Sequence, residues 1–388
     1  MSEGPLDGVR ILDLSRLLPG GYCTLLMADM GAEVIKVEEP GRGDYIRWIP
    51  PMVDGQSASH YALNRGKQSV TLNLKTPSGV DLLKRLVRTA DVLVESFRPG
   101  VMDRLGVGYP VLAEENPRLV YCAITGYGQD GPYRDRVGHD INYIGFGGVL
   151  GIIGEEGGPP SVPGVQIGDL GGGGMAAVIG ILAGLFERDR TGRGRFVDTS
   201  MLDGVVSWLS IHAGTFFAGA HEPARGSMRL SGGFACYRVY RCKGGGYLTV
   251  GALEPQFWRA LCEKIGVPQL IDRQFDEPNQ REVIEEVAAV FETRTRDEWV
   301  RELADLDTCV GPVNDFGETF KDPQVVHREL IAEVEGRPVG VGSPMRFDAR
   351  THTALRPAPG LGEHTGDVLA SVGVATEELE RLRAEGAV

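Results

Sequence analysis

The sequence predicts an α/β protein: a parallel β/α region in the N-terminal half, followed by a smaller α+β region. Two observations lead there. Short apolar runs of strand length alternate with longer helix-like runs from the first residues onward. Near residue 226 the character changes to a hairpin followed by amphipathic helices. A chain of 388 residues suits two or three folding units.

Residues 9–14 read as a first strand, 19–30 as a helix and 32–37 as a second strand ending at Glu38 and Glu39. Residues 69–74 read as a strand, 79–88 as a helix, 91–95 and 119–124 as further strands. A Gly-rich, charged loop leads to a helix from Ile141, and Asp169 with four glycines leads into an apolar run over 175–186. That run falls short of the roughly 20 residues a bilayer span needs, so it reads as a buried helix. Residues 205–225 read as a helical connection. Residues 234–241 and 246–251 form a hairpin, and Pro255 opens a helix that Gly266 closes. Thr295 and Glu298 form a capping box, and Thr376 before two glutamates reads as an N-cap.

The composition narrows the function classes. A net charge of −13 argues against nucleic acid or an anionic membrane as the main partner. It also means that a phosphate-bearing ligand needs a local basic pocket. Glycine reaches 55 residues, about twice the usual share, without a period, which implies tight turns and close backbone approaches. Six scattered cysteines form no C-x-x-C and no Cys/His metal pattern. They fit reduced thiols, and with no secretory signal pattern near Met1 the expected location is cytoplasmic. The turn after the first strand is SRLLPGG, not G-x-G-x-x-G, so a nicotinamide dehydrogenase is the weakest reading.

Three acid–base candidates stand beside glycines or turns at expected helix starts: His139 in GHDINY, Asp169 in IGDLGGGG and Glu254 in GALEPQFW. Helix starts carry unpaired N–H groups and partial positive charge, which suit an ionised carboxylate or a transient oxyanion. If Asp140 caps the helix after His139, neighbouring N–H groups would receive such an oxygen. The four glycines after Asp169 are expected to let a ligand pass close to the backbone. Each candidate equally fits a plain loop or capping role. Lys75, Arg98 and Arg104 follow expected strands, where ligands of open parallel sheets bind. They equally fit solvated surface charge.

Together these segments resemble the family III CoA-transferases, and within them the α-methylacyl-CoA racemase branch. The resemblance runs from PLDGVRILDLS through LLMADMGAEVIKVEEPG, LNLKTPSG, VESFRPGVMDRLG and NPRLVYCAITGYGQDGP to RTGRGRFVDTSMLDG and LGEHT. GHDINY and GALEPQFW are the segments that look like the racemase branch. The resemblance implies a large domain with a Rossmann-like parallel core (residues 1–204, completed by 331–388), a linker (205–225), a small domain (226–313) and a return linker (314–330). It implies an interlocked homodimer with the active site shared between chains.

It also implies roles. His139 and Asp169 match the two proton-transfer residues, and Glu254 matches the residue that reaches in from the partner chain to hold the histidine. CoA contacts fall on Leu72, Asn73, Leu74, Lys75, Arg98, Arg104, Gly138, Ile141, Asn142 and Tyr143. The expected reaction interconverts (2R)- and (2S)-2-methylacyl-CoA through an enolate held near Asp140, with coenzyme A only as part of the substrate and no metal or redox cofactor. The alternative is a CoA-transferase that uses Asp169 as nucleophile. A CoA-thioester binding protein without turnover is the third reading. The sequence departs from the racemase pattern at Glu39, where a basic residue is typical, at PGVQIGDLGG, which has a transferase flavour, and at RLSGGFACYRVYRC, which lacks L-D-G-G-A-P.

Overall fold

The computed structural model describes residues 4–220, 222–347 and 356–388. The Pro- and Gly-containing stretch that begins near residue 338 therefore lies partly outside the described residues. The chain divides into two compact units. The first comprises Met1–Gly147, Val165–Trp208 and Pro323–Val388, and the second Gly148–Gly164 and Leu209–Asp322.

The first unit is built on β1 (Arg10–Asp13), α1 (Leu17–Asp29), β2 (Glu33–Glu38), β3 (Gln68–Thr71), α2 (Pro77–Val87), β4 (Val92–Glu95) and β5 (Val120–Thr125). There follow α3 (Asp140–Phe146), a π-helical segment (Ile167–Met175), α4 (Ala176–Thr191), β6 (Phe196–Ser200) and α5 (Met201–Ser207). The six strands pair in the order β3-β2-β1-β4-β5-β6, all parallel. The order reverses beside β1, and at such a switch point a crevice opens at the carboxyl ends of the strands.

The strands are apolar because both faces of the sheet are covered. On one face Leu12, Ile35, Val70 and Leu93 pack with Leu82 and Leu86 of α2. Leu369 and Leu382, from the C-terminal helices Thr365–Ser371 and Thr376–Ala384, complete that layer. On the other face Ile11, Val34 and Val120 pack with Met27 of α1 and Ile181 of α4.

Four expectations need correction. The helical connection over 205–225 is broken: α5 ends at Ser207, a second helix covers Ser210–Phe217, and Gly219 follows at φ 84°. Such a glycine conformation does not continue an α-helix. The apolar run is longer than expected, because the π-helical turns join α4 to give a continuous helix over Ile167–Thr191. That helix is long and apolar enough to cross a membrane, and half of its most apolar stretch is buried within the protein. Thr376 is the first helical residue, not the cap. Extended Ala375 holds the cap position, and Glu377 and Glu378 complement the helix dipole. Finally, β6 was not anticipated.

The second unit carries a three-stranded antiparallel sheet in which Tyr247–Gly251 pairs with both Tyr237–Arg241 and Val310–Pro312. Helices Pro255–Ile265, Gln280–Phe291 and Arg296–Leu303 bury Trp258, Phe291 and Trp299 with the sheet's Leu248 and Val250. Both indole N–H groups find backbone acceptors, Trp258 at Leu270 and Trp299 at Phe291, each at 3.0 Å. The capping box is formed: Thr295 N donates to Glu298 at 2.8 Å, and Glu298 N donates back to the Thr295 hydroxyl.

Beneath the carboxyl ends of β1 and β2 lies a cluster of fully buried charges. Asp13 accepts from Ser15 N, Thr24 Oγ1 and Lys67 Nζ. Lys36 Nζ donates to Ser15 O and lies 3.0 Å from both that oxygen and Asp44. Burial works against ionising Asp13, but Lys36 and Lys67 outweigh it and hold the carboxyl below its usual range. Replacing Lys36 by Met should therefore leave Asp13 and Asp44 undercompensated in a fully buried site. The expected loss is about 3–5 kcal/mol of unfolding free energy, read from urea denaturation.

Candidate functional site

Two candidate sites occupy the first unit. The first is a pocket of about 420 Å³ at the switch point. The turn after β1 contributes Leu14, Ser15 and Arg16. The end of β2 and the following loop contribute Val37 to Glu39 and Arg42 to Tyr45. The loop after β3 gives Leu72 to Lys75, and the segment after β4 gives Phe97, Val101 and Leu105.

Its walls are thus apolar below and charged at the rim. Four of the ten expected CoA contacts, Leu72, Asn73, Leu74 and Lys75, meet here. Arg98 and Arg104 are not among the lining residues. Instead, the guanidinium groups of Arg104 and Arg134 both come within 3.5 Å of where a side chain on Gly100 would begin.

Sequence reasoning missed Arg16 and Arg42 here. Arg16 stacks over the rings of Tyr45 and Phe97 at 5.1 and 5.3 Å and donates to Tyr45 Oη. The only signal was a lone cation in the turn SRLLPGG. The two glutamates ending β2 have different fates. Glu38 is buried and held by a two-pronged contact from Arg47 at 2.7 and 2.6 Å. Burial opposes its ionisation, but Arg47 prevails and keeps the carboxyl at about 2. Glu39 turns to the pocket, where it accepts from Lys75 at 2.8 Å and lies 3.8 Å from Arg16.

The second site centres on Asp169. His139 is the N-cap of α3, not Asp140, and its backbone N–H donates to Asn142 Oδ1 at 3.0 Å. Asp140 is the first helical residue, and its carboxylate receives the Asp169 backbone N–H at 2.9 Å. The contact ties α3 to the π-helical segment and fixes where Asp169 stands. Tyr143 faces inward: its hydroxyl donates to Gly138 O at 2.5 Å and its ring packs on Gly126 and Gly138. Asn142 and Tyr143 thus shape the His139 loop, while His139 and Ile141 are exposed.

The glycine run has another purpose than expected. Gly171 to Gly174 are all buried. A side chain on Gly172 would begin 2.7 Å from the Met201 carbonyl of α5. On Gly173 it would meet Met201 and Pro19, and on Gly174 Pro19 and Tyr22 of α1. The missing side chains let three helical segments approach one another, so no ligand path follows from these glycines.

Burial and the nearby Asp140 carboxylate push Asp169 up to about 6, while His139 pulls the other way. Asp169 therefore changes charge near neutrality, as a proton-transfer group should. Glu254 lies in the second unit, where it is the exposed N-cap of helix Pro255–Ile265 with no side-chain capping bond. Among the described residues no three His, Cys, Asp or Glu side chains gather as a metal site requires.

The raised Asp169 value has a consequence for stability. Between the unfolded value of 3.8 and about 6 the folded protein holds the extra proton, so stability falls as pH rises through that window. Asp169→Asn, which keeps the neutral shape, should match the wild type near pH 4. At pH 8 it should be more stable by about 2–3 kcal/mol. Urea denaturation at both pH values, at one protein concentration, checks this.

Comparison with known proteins extends over nearly the whole chain. The model for CoA-transferase family III matches residues 6–365. Human succinyl-CoA:glutarate CoA-transferase is 37% identical over 95% of this chain and 86% of its own length. Human alpha-methylacyl-CoA racemase is 35% identical over 98% of this chain and 96% of its own. The crystal structure of a CAIB/BAIF family protein from Brucella suis superposes with a TM-score of 0.84 at 32% identity. It covers 96% of this chain and 100% of that one. Agreement of this extent, in sequence and in the parallel sheet alike, shows that the chain belongs to CoA-transferase family III.

Proposed function

We propose that the protein is an acyl-CoA racemase that inverts the α-carbon of 2-methylacyl-CoA thioesters. The observation that carries this reading is the pairing at the second site. The Asp140–Asp169 contact holds a carboxyl raised to about 6 beside α3, whose N-cap is His139, and the charge of that histidine acts on the carboxyl. Racemisation needs one base on each face of the α-carbon. In one direction neutral His139 removes the α-proton, the C–H electrons move into the thioester as an enolate, and protonated Asp169 delivers a proton to the opposite face. The reverse direction exchanges the two roles. The proton inventory closes, and both steps use only protein side chains.

The nucleotide end of the thioester is assigned to the switch-point pocket, with Lys75, Arg16 and Arg42 as its cations. Glu254 belongs, on this reading, to a second copy of the chain, where it orients His139.

A transferase reading has its own support in the similarity to succinyl-CoA:glutarate CoA-transferase. There ionised Asp169 would attack the thioester carbonyl and expel CoA thiolate, forming a mixed anhydride. The thiolate would then return to the aspartyl carbonyl and release the first acid, before a second acid takes up the acyl-transfer sequence in reverse. The two reactions part in D2O. The racemase exchanges the α-proton of (2R)-2-methylacyl-CoA with inversion and needs no acid acceptor. A transferase leaves that proton in place and moves CoA only when a free carboxylic acid is added.

His139→Ala and Asp169→Ala should each lower exchange by about 10²–10⁴-fold, the usual worth of a positioned acid or base. A complementation experiment tests the shared site. His139→Ala and Glu254→Ala, each inactive alone, are co-expressed with different affinity tags. Random pairing should restore about a quarter of wild-type activity, because half the dimers are hybrids with one intact site each. No recovery in purified hybrid dimers would mean that His139 and Glu254 do not act together across two chains.

A further inference from the structure

We propose that Glu39 sets how strongly the switch-point pocket favours a phosphate on the ribose of its ligand, by serving as the internal counter-anion of the pocket's cations. The inference rests on the assignment of the nucleotide end to that pocket. Three cations line it: Arg16, Arg42 and Lys75. Glu39 is in contact with two of them, at 2.8 Å from Lys75 and 3.8 Å from Arg16. Lys75, Arg16 and Arg42 together hold its carboxyl below its usual range, against the opposing effect of partial burial. Glu39 is thus ionised throughout the neutral range and shares its charge among all three cations.

Its position decides what it senses. Glu39 directly follows β2, the place from which an acidic residue reaches the ribose in dinucleotide-binding parallel sheets. The other acids of the lining are committed inward, Glu38 to Arg47 and Asp44 to Lys36. Glu39 alone among those three stands against a ligand.

A ribose phosphate entering here gains Lys75 and Arg16 only by competing with Glu39, and it meets a like charge in doing so. Lys75 is 75% exposed, so its pair with Glu39 is weak and exchanges readily. The repulsion between carboxylate and phosphate persists in the complex. Free ribose hydroxyls, by contrast, can donate to the same carboxylate.

The test compares CoA with 3′-dephospho-CoA, which differ only in the ribose phosphate, by calorimetry on wild type, Glu39→Gln and Lys75→Met. In the wild type the two ligands should bind within about threefold of one another, since attraction and repulsion largely offset at exposed sites. Glu39→Gln should tighten CoA about five- to tenfold and leave 3′-dephospho-CoA within about twofold, with the difference shrinking in 0.5 M salt. Lys75→Met should move the ratio the other way.

An unchanged ratio in Glu39→Gln overturns the proposal, whether both ligands tighten together or neither changes. In that case the nucleotide assignment stands, provided that Leu74→Trp, at a partly exposed lining position, abolishes CoA binding with an unchanged urea midpoint. If Leu74→Trp leaves CoA binding intact, the nucleotide assignment falls and the role of Glu39 with it.

Discussion

The compensation of Lys36 inside the first unit is the constraint on which the rest leans. A fully buried ammonium must be matched on every side. Lys36 is matched by Asp44 from the loop after β2, by the Ser15 carbonyl from the turn after β1, and at longer range by Asp13. Asp13 draws in α1 through Thr24 and the approach to β3 through Lys67. Asp44 in turn accepts the Leu17 N–H that opens α1. Loops that would otherwise be free at a switch point are thereby held from beneath by charge. The pocket rim of Arg16, Arg42 and Tyr45 stands on that base.

The two sites of the unit work in opposite electrostatic regimes. At the pocket, cations and a carboxylate share solvent, and each contact there is cheap to exchange. Around Asp169 the governing effect is burial away from water, reinforced by Asp140, and the carboxyl is pushed up to about 6. A carboxyl so placed suits both acid–base and nucleophilic chemistry. That versatility accords with a family in which racemases and CoA-transferases share a fold and comparable identity to this chain. Beside this carboxyl stand Asp140, which accepts the Asp169 backbone N–H, and the charge of His139.

The sheet was largely legible because strands buried on both faces read as short apolar runs, and β1, β2, β4 and β5 largely do so, whereas β3 reads QSVT. β6 escaped notice because FVDTS follows a run of arginines and glycines and carries a charge at Asp198. Lys36 reads in EVIKVE as one solvent-facing residue of an alternating strand, yet it has no exposed surface. Its partners, Asp44 in the next loop and Ser15 and Asp13 more than twenty residues back, are invisible to local pattern. The same holds for the pocket: the loop after β3 was identified, but the convergence of Arg16, Arg42 and Glu39 on it depends on strand order. His139 and Asp169 were legible as candidates by motif, whereas the Asp140–Asp169 contact and the π-helical turns leave no periodic trace. Four consecutive glycines looked like room for a ligand and proved to be room for helices.

Those glycines bear on how the site can evolve or be redesigned. Between Gly168 and Gly174 the backbone lies against Asp140, Tyr143, Trp208, Met201, Pro19 and Tyr22 so closely that even a methyl group finds atoms in its way. The wall that carries Asp169 therefore has almost no mutational latitude. Selection for a different acyl group, or a library built to broaden scope, has little purchase within that segment. Variation must enter through positions that already bear side chains, such as Val137 and Ile141 on either side of the histidine, which are exposed.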